Sequence, residues 1–192
     1  MATKRIAVAL LLMATLGQGA YGRTENASLW TKLKEAASIP EGTGGRRLYV
    51  FFDANCPYCH DLYETLQPLI GPKQLKVAWI PVGILALSSF GKAADLLEAK
   101  DPTAALAQAE RGFHQGGSAV RPRRATSTVA TELMSNARLL TATGGDGVPF
   151  LVYKDQEGRV HAVVGNPPQS ALLRIIARIR NTIRSTQKRA AP

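Results

Sequence analysis

Cys56-Pro57-Tyr58-Cys59 stands where a buried strand runs into a helix, and that placement constrains the fold more than any other feature of the chain. These are the only two cysteines in 192 residues. The segment before them, Leu48-Tyr49-Val50-Phe51-Phe52, is an unbroken aliphatic and aromatic run, the pattern of a buried strand. The segment after them, Asp61 to Leu69, has apolar residues at 62, 63, 66 and 69, which is helical spacing. Cys56 is therefore expected at a helix N-terminus, where unpaired N–H groups and the helix dipole favour an anion. A thiolate is such an anion, so the Cys56 pKa should fall and its reactivity rise. Pro57 suits the first helical position, which needs no N–H. Cys59 faces the same side of the first turn, placed to attack a mixed disulfide at Cys56.

Three other uses of the pair compete. A zinc site needs two more ligands, and His60, His114 and His161 are scattered. Cys56 to His60 also fits the C-x-x-C-H pattern of c-type haem attachment, although haem chains usually set it in a helical domain. A purely structural disulfide would close a very small loop and add little stability. Redox chemistry is the stronger reading.

The N-terminus reads as a secretory signal over residues 1–22. Lys4 and Arg5 precede the apolar or small run Ile6–Leu16, and Ala20-Tyr21-Gly22 fits a small-x-small cleavage site near Gly22. The run is shorter than the roughly 20 residues a membrane span requires. No cysteine follows it, which excludes a lipoprotein signal. Export to the periplasm is the expectation. In an oxidising compartment a pair with no spare cysteines is free for chemistry.

The charge balance raises a separate question. The 24 basic residues less Lys4 and Arg5, against 14 acidic ones, leave a mature charge of +8. The excess gathers in Arg121-Pro122-Arg123-Arg124 and in Arg174, Arg178, Arg180, Arg184, Lys188 and Arg189. No aromatic residues interleave with these charges, so nucleic acid is not expected as a partner. A solvated basic face is the simplest account, with a membrane surface or an acidic partner as the other readings.

Along the rest of the chain, residues 23–46 should form an amphipathic helix (Ala27–Ala37, with Trp30, Leu33 and Ala37 on one face) and a Gly-rich linker over Pro40–Gly45. Leu75–Val82 reads as a second strand. Two short helices separated by Asp101-Pro102, a polar Gly- and Arg-rich loop over Gly112–Arg124, and a helix over Thr126–Leu140 form a helical block at about 89–140. Phe150–Tyr153 and Val160–Val164 read as strands joined by a hairpin through Asp155–Gly158. A closing helix is expected over Gln169–Ile183, ahead of a basic tail at 187–192.

A C-x-x-C pair within such an α/β order reads as thioredoxin-like. The domain would span 47–186, with the helical block inserted between the second strand and the strand after Pro149. In Gly147-Val148-Pro149-Phe150 a proline directly precedes that strand. In this fold such a loop carries a cis-proline, lies against the dithiol, and offers the backbone of the preceding residue to an extended substrate; the ordinary alternative is a trans proline opening an edge strand.

These residues carry a closer resemblance. Leu48–Cys59, Ile80-Pro81-Val82-Gly83-Ile84, Ala93–Pro102, Asn136 and Gly147-Val148-Pro149 together resemble the catalytic domains of bacterial periplasmic thiol:disulfide interchange proteins of the DsbC and DsbG type. The resemblance implies Cys56 as nucleophile, Cys59 as resolving cysteine and Val148-Pro149 as the substrate-docking loop. Pro57, Tyr58 and Asp53 become modulators of the pair; Tyr58 and Val148 are substrate contacts. Asp53 either tunes proton transfer or is an ordinary strand-end aspartate. No metal and no cofactor beyond the redox-active Cys56–Cys59 disulfide is expected. The expected partners are unfolded or misoxidised exported proteins, a DsbD-like membrane reductase, and components of conjugation or secretion systems. Such proteins usually carry an N-terminal dimerisation domain. Only about 25 mature residues precede the first strand here, so a monomer is expected. They also usually have Thr before the cis-proline, where this chain has Val148, as in the oxidase DsbA. A thiol:disulfide isomerase or reductase is thus the leading expectation. An oxidase is the alternative, a non-catalytic chaperone or binding module another, and a c-type haem protein the last.

Overall fold

Arg46–Phe52 (β2) forms the centre of a five-stranded sheet because its side chains are apolar on both faces; from Leu48 onward every residue is buried. It pairs in parallel with Leu75–Pro81 (β3), in a register that sets Leu48 opposite Val77 and Phe52 opposite Pro81. Parallel neighbours need a crossover, and the helix Pro57–Ile70 (α2) supplies it. On its other side β2 pairs antiparallel with Phe150–Lys154 (β4), which turns into Val160–Val164 (β5). Ile39–Glu41 (β1) adds an antiparallel edge on β3, giving the order β1-β3-β2-β4-β5. The computed structural model describes residues 18–113 and 117–183, with side chains from residue 27. The apolar run at 6–16, His114 and the basic tail at 187–192 lie outside the described residues.

The pleat of β2 divides the core into two layers. Leu48, Val50 and Phe52 pack with Leu62 and Leu66 of α2, with Leu106 of Pro102–Arg111 (α4), and with Leu172 and Ile176 of Gln169–Arg178 (α6). Tyr49 and Phe51 face the other way, against Leu33 of Gln18–Glu35 (α1) and against Leu139 and Leu140 of Ser127–Ala142 (α5). Helices thus cover both faces of a mixed sheet, as expected for a thioredoxin-like fold.

Three helices lie between β3 and β4: Ser89–Leu97 (α3), α4 and α5. Asp101 caps α4 by accepting the Ala104 N–H at 2.9 Å, with Pro102 opening the helix. Thr126 caps α5. The Asn136 amide, 1% exposed, ties α5 to the sheet by donating to Pro81 O at 3.0 Å and Ala37 O at 2.9 Å.

Three expectations change. The Pro40–Gly45 linker opens inside β1, where Pro40 is tolerated because it sits on an edge strand. α1 begins at Gln18, nine residues before the expected Ala27. α6 ends at Arg178 rather than Ile183: the Arg180 N–H donates to Lys154 O at 2.9 Å, and bridges join Ile179 to Asp155 and Asn181 to Arg46. Backbone pairing there overrides an apolar period that runs on through Ile179. Among the described residues no helix is long and apolar enough to cross a membrane.

Candidate active site

The site begins where β2 runs out. After Phe52 the chain turns through Asp53-Ala54-Asn55, closed by Cys56 N–H donating to Asp53 O at 3.0 Å. Cys56 is the N-cap of α2, in extended conformation (φ −87°, ψ 112°). Its Sγ accepts the Cys59 N–H at 3.3 Å, so sulfur takes the place that a Ser or Asp oxygen commonly fills at a cap. Pro57 opens the helix, as its missing donor allows.

No bond joins the two sulfurs in this structure, and each cysteine is only 2% exposed, whereas Tyr58 between them is 66% exposed. Ninety-two residues downstream, the Val148 carbonyl lies 3.6 Å from Cys56 Sγ, across the cis Val148-Pro149 peptide. The fold therefore brings Cys56, Cys59, Pro57 and the Val148-Pro149 loop together and leaves Tyr58 pointing outward.

The two thiols diverge in acidity. The Cys59 thiol and the N–H groups of Cys59 and Tyr58 hold the Cys56 pKa below the ordinary cysteine value, against the opposing effect of burial. Burial pushes Cys59 far up, and an anion at Cys56 pushes it further. One sulfur is poised to ionise while its neighbour keeps its proton.

Asp53 is 1% exposed and its carboxylate accepts four hydrogen bonds. Oδ1 takes the Asn55 N–H at 2.9 Å and the Ser89 hydroxyl at 2.7 Å. Oδ2 takes the N–H groups of Ile84 and Leu85 at 2.6 and 3.0 Å. Asp53 thus pins the loop after β3 against the turn that carries the dithiol. That loop presents Ile84 and Leu85, each about half exposed, and a fully exposed Leu87.

Two features escaped the sequence reading. The first is a buried polar chain behind the turn. Asn55 Nδ2 donates to Ser89 Oγ at 2.8 Å, and Lys92 Nζ donates to Asn55 Oδ1 at 2.8 Å and to Ser118 O at 2.5 Å. Ser118 N–H closes back on Ala54 O at 3.0 Å. The second is a pair below the first turn of α2. His60 Nδ1 and Glu110 Oε2 are 2.8 Å apart, and the His60 ring stacks on Phe113 at 4.5 Å. Glu110 is 4% exposed, and burial raises its pKa despite His60. His60 was visible in the sequence only as a possible zinc or haem ligand. Among the described residues no three His, Cys, Asp or Glu side chains gather as a metal site would require.

Comparison with known proteins follows the same line. The sequence matches a thioredoxin-like domain family over residues 33–180. It is 31% identical over 151 residues to the thiol:disulfide interchange protein DsbG of Pseudomonas aeruginosa, covering 77% of this chain and 58% of that protein. It is 26% identical over 149 residues to DsbG of Escherichia coli, covering 75% and 58%. The chain thus spans a little over half the length of these curated relatives. In structure it is similar to the catalytic domain of Proteus mirabilis ScsC, with a TM-score of 0.65 at 21% identity over 81% of this chain and 96% of that one. It is also similar to a periplasmic thioredoxin-like protein from Salmonella enterica serovar Typhimurium, with a TM-score of 0.62 at 21% identity over 78% and 94%. At these identities the structures speak for the fold.

Proposed function

This chain belongs to the thioredoxin-like domain family, and on that premise we propose that it is a periplasmic thiol:disulfide oxidoreductase acting on exported proteins. The observation that carries the reading is the setting of Cys56: a capped, acid-shifted sulfur beside a proton-retaining Cys59, under the Val148 carbonyl.

In the proposed reaction the Cys56 thiolate attacks one sulfur of a substrate disulfide. A mixed disulfide forms and the second substrate sulfur departs as a thiolate. Isomerisation follows if a substrate thiolate attacks within the substrate and expels Cys56, with no net electron transfer. Reduction follows if Cys59 attacks Cys56 Sγ instead. The substrate then leaves with two electrons and the Cys56–Cys59 disulfide remains. Val148 and Pro149 line the edge that an extended substrate would meet; Tyr58, Ile84, Leu85 and Leu87 offer apolar surface to an unfolded one. Asp53 holds that surface against the dithiol, and Pro57 opens the helix that carries the charge.

Export through a signal cleaved near Gly22, action as a monomer, and re-reduction by a DsbD-like membrane protein complete the proposal. Conjugation or secretion components are candidate clients. Val148 before the cis-proline favours a second reading, an oxidase that donates its disulfide.

The deciding measurement is the redox state of Cys56 and Cys59 in the periplasm, by acid quench and alkylation with a mass-tagged maleimide. A predominantly reduced pair supports the isomerase or reductase. A predominantly oxidised pair supports the oxidase. Absence of the protein from the periplasmic fraction overturns both.

A further inference from the structure

At the opposite end of β2 from the dithiol, a pocket of about 610 Å³ opens between α1, the ends of β2 and β4, and the segment after α6. Its walls are Trp30 and Lys34 of α1, Arg47, Lys154, Ile179, Arg180 and Thr182. Four of the seven are cations and none is acidic. Among the described residues Lys34, Arg47, Lys154 and Arg180 form no ion pair.

The arrangement differs from a solvated basic face. Arg47, Lys154 and Arg180 are only partly exposed. Lys154 Nζ lies 4.6 Å from the centre of the Trp30 ring, a cation held on an aromatic surface. Burial first, and then the charges of Lys34 and Arg180, lower the Lys154 pKa, so Lys154 keeps its charge there at a cost. In the layer behind, the ring of Tyr49 meets Trp30 edge-on at 5.1 Å. An anion entering the pocket would relieve the repulsion and engage guanidinium groups suited to two-pronged contact with oxyanions.

We propose that this pocket binds a phosphate-type oxyanion through Lys34, Arg47, Lys154 and Arg180, independently of the dithiol. Such a group arrives either as a soluble polyphosphate or phosphate ester, or as the headgroup of an anionic phospholipid. Trp30 reports on both, because a ligand that draws Lys154 off its ring changes its fluorescence, while Trp79 is buried in the core and serves as a constant background.

The test is titration of the full chain with sodium tripolyphosphate, against sodium chloride of equal ionic strength, and in parallel with vesicles of phosphatidylglycerol or of phosphatidylcholine. A saturable change in Trp30 emission is expected with one of the two anionic probes. Lys154→Gln and Arg180→Gln should each weaken it about tenfold or more, in line with the loss of a charge-assisted hydrogen bond. Arg180→Lys should keep only part of the affinity, because an ammonium makes no two-pronged contact, and Lys154→Gln and Arg180→Gln should both still reduce insulin at the parent rate, which shows that the variants fold. Saturation with tripolyphosphate alone assigns a soluble ligand, and with phosphatidylglycerol alone a headgroup. The proposal fails if neither probe saturates, if chloride reproduces the change, or if the folded glutamine variants bind as tightly as the parent.

Discussion

Cys56 Sγ lies between two backbone groups of opposite character, the Cys59 N–H at 3.3 Å and the Val148 carbonyl at 3.6 Å, the second arriving from 92 residues away. The donor favours a thiolate; the acceptor favours a thiol, whose hydrogen it receives. Anything that displaces the Val148 carbonyl, such as a substrate strand pairing with that loop, removes the opposing influence. If a substrate docks on that loop as proposed, docking and thiolate formation act on the same atom.

The first expectation concerns the two thiols. In the reduced protein one equivalent of iodoacetamide should react with a pH midpoint below the ordinary cysteine value of about 8.5. The second should lag, because burial keeps Cys59 protonated. Labelling followed by intact-mass measurement checks this, and two equivalents entering at one rate would refute it. Cys56→Ser should abolish insulin reduction, while Cys59→Ala should accumulate mixed disulfides with clients.

Asp53 makes a separate prediction. In Asp53→Asn the new amide group must face hydrogen-bond donors on either side, with the Ile84 and Leu85 N–H groups on one and the Asn55 N–H and Ser89 hydroxyl on the other. Loss of two charge-assisted bonds should cost about 3–6 kcal/mol in urea unfolding. Hydrogen exchange at Ile84 and Leu85 should quicken. A variant as stable as the parent would show that Asp53 is not the clamp.

Glu110 should behave in the reverse sense. Its folded-state pKa is raised, chiefly by burial, so the folded chain binds that proton more tightly than the unfolded chain. Its contribution to stability is full below the unfolded value near 4.3 and is lost as pH rises through the folded value. Glu110→Gln keeps a partner for His60 and removes the buried charge. It should therefore melt higher than the parent at pH 7, with the gain shrinking toward pH 4. A gain that does not change with pH would refute the burial argument.

Asp155 shows the ordinary sign. Burial pushes its carboxyl up, but His161 Nε2 at 2.7 Å and Arg159 Nε at 2.9 Å outweigh it and hold the pKa well below the usual carboxylate range. Its stabilising effect is present above the unfolded value near 3.9 and fades as pH falls through the folded one. Asp155→Asn should lower Tm at pH 7 and flatten the acid limb of the stability curve, as thermal melts between pH 2 and 7 would show.

What the sequence disclosed and what it hid divide by distance along the chain. The strand ending at Phe52, the cap at Cys56, Pro57 at the helix start and the Asp101-Pro102 cap are written within a few consecutive residues, where spacing alone is decisive. The cis Val148-Pro149 bond followed from the thioredoxin-like reading of the dithiol and the element order rather than from local chemistry. Asp53 to Ser89, Asn55 to Lys92 and His60 to Glu110 join residues 36, 37 and 50 positions apart, and no periodicity marks them. β1 is three residues long and contains Pro40, so it leaves no alternation to read. Arg47 and Arg180 were visible only as charges; the closing backbone at Lys154 makes them neighbours.

The capping bond at Cys56 has a thermodynamic corollary. Folded and unfolded, dithiol and disulfide, the chain has four states that form a closed square, so the differences around it must cancel. A sulfur that caps α2 as an anion stabilises the corner that is both folded and reduced. The opposite edge then shows the same quantity as a higher reduction potential, at about 30 mV for each 1.4 kcal/mol. Two denaturation curves, one for each state of the sulfurs, therefore work as a voltmeter for this protein.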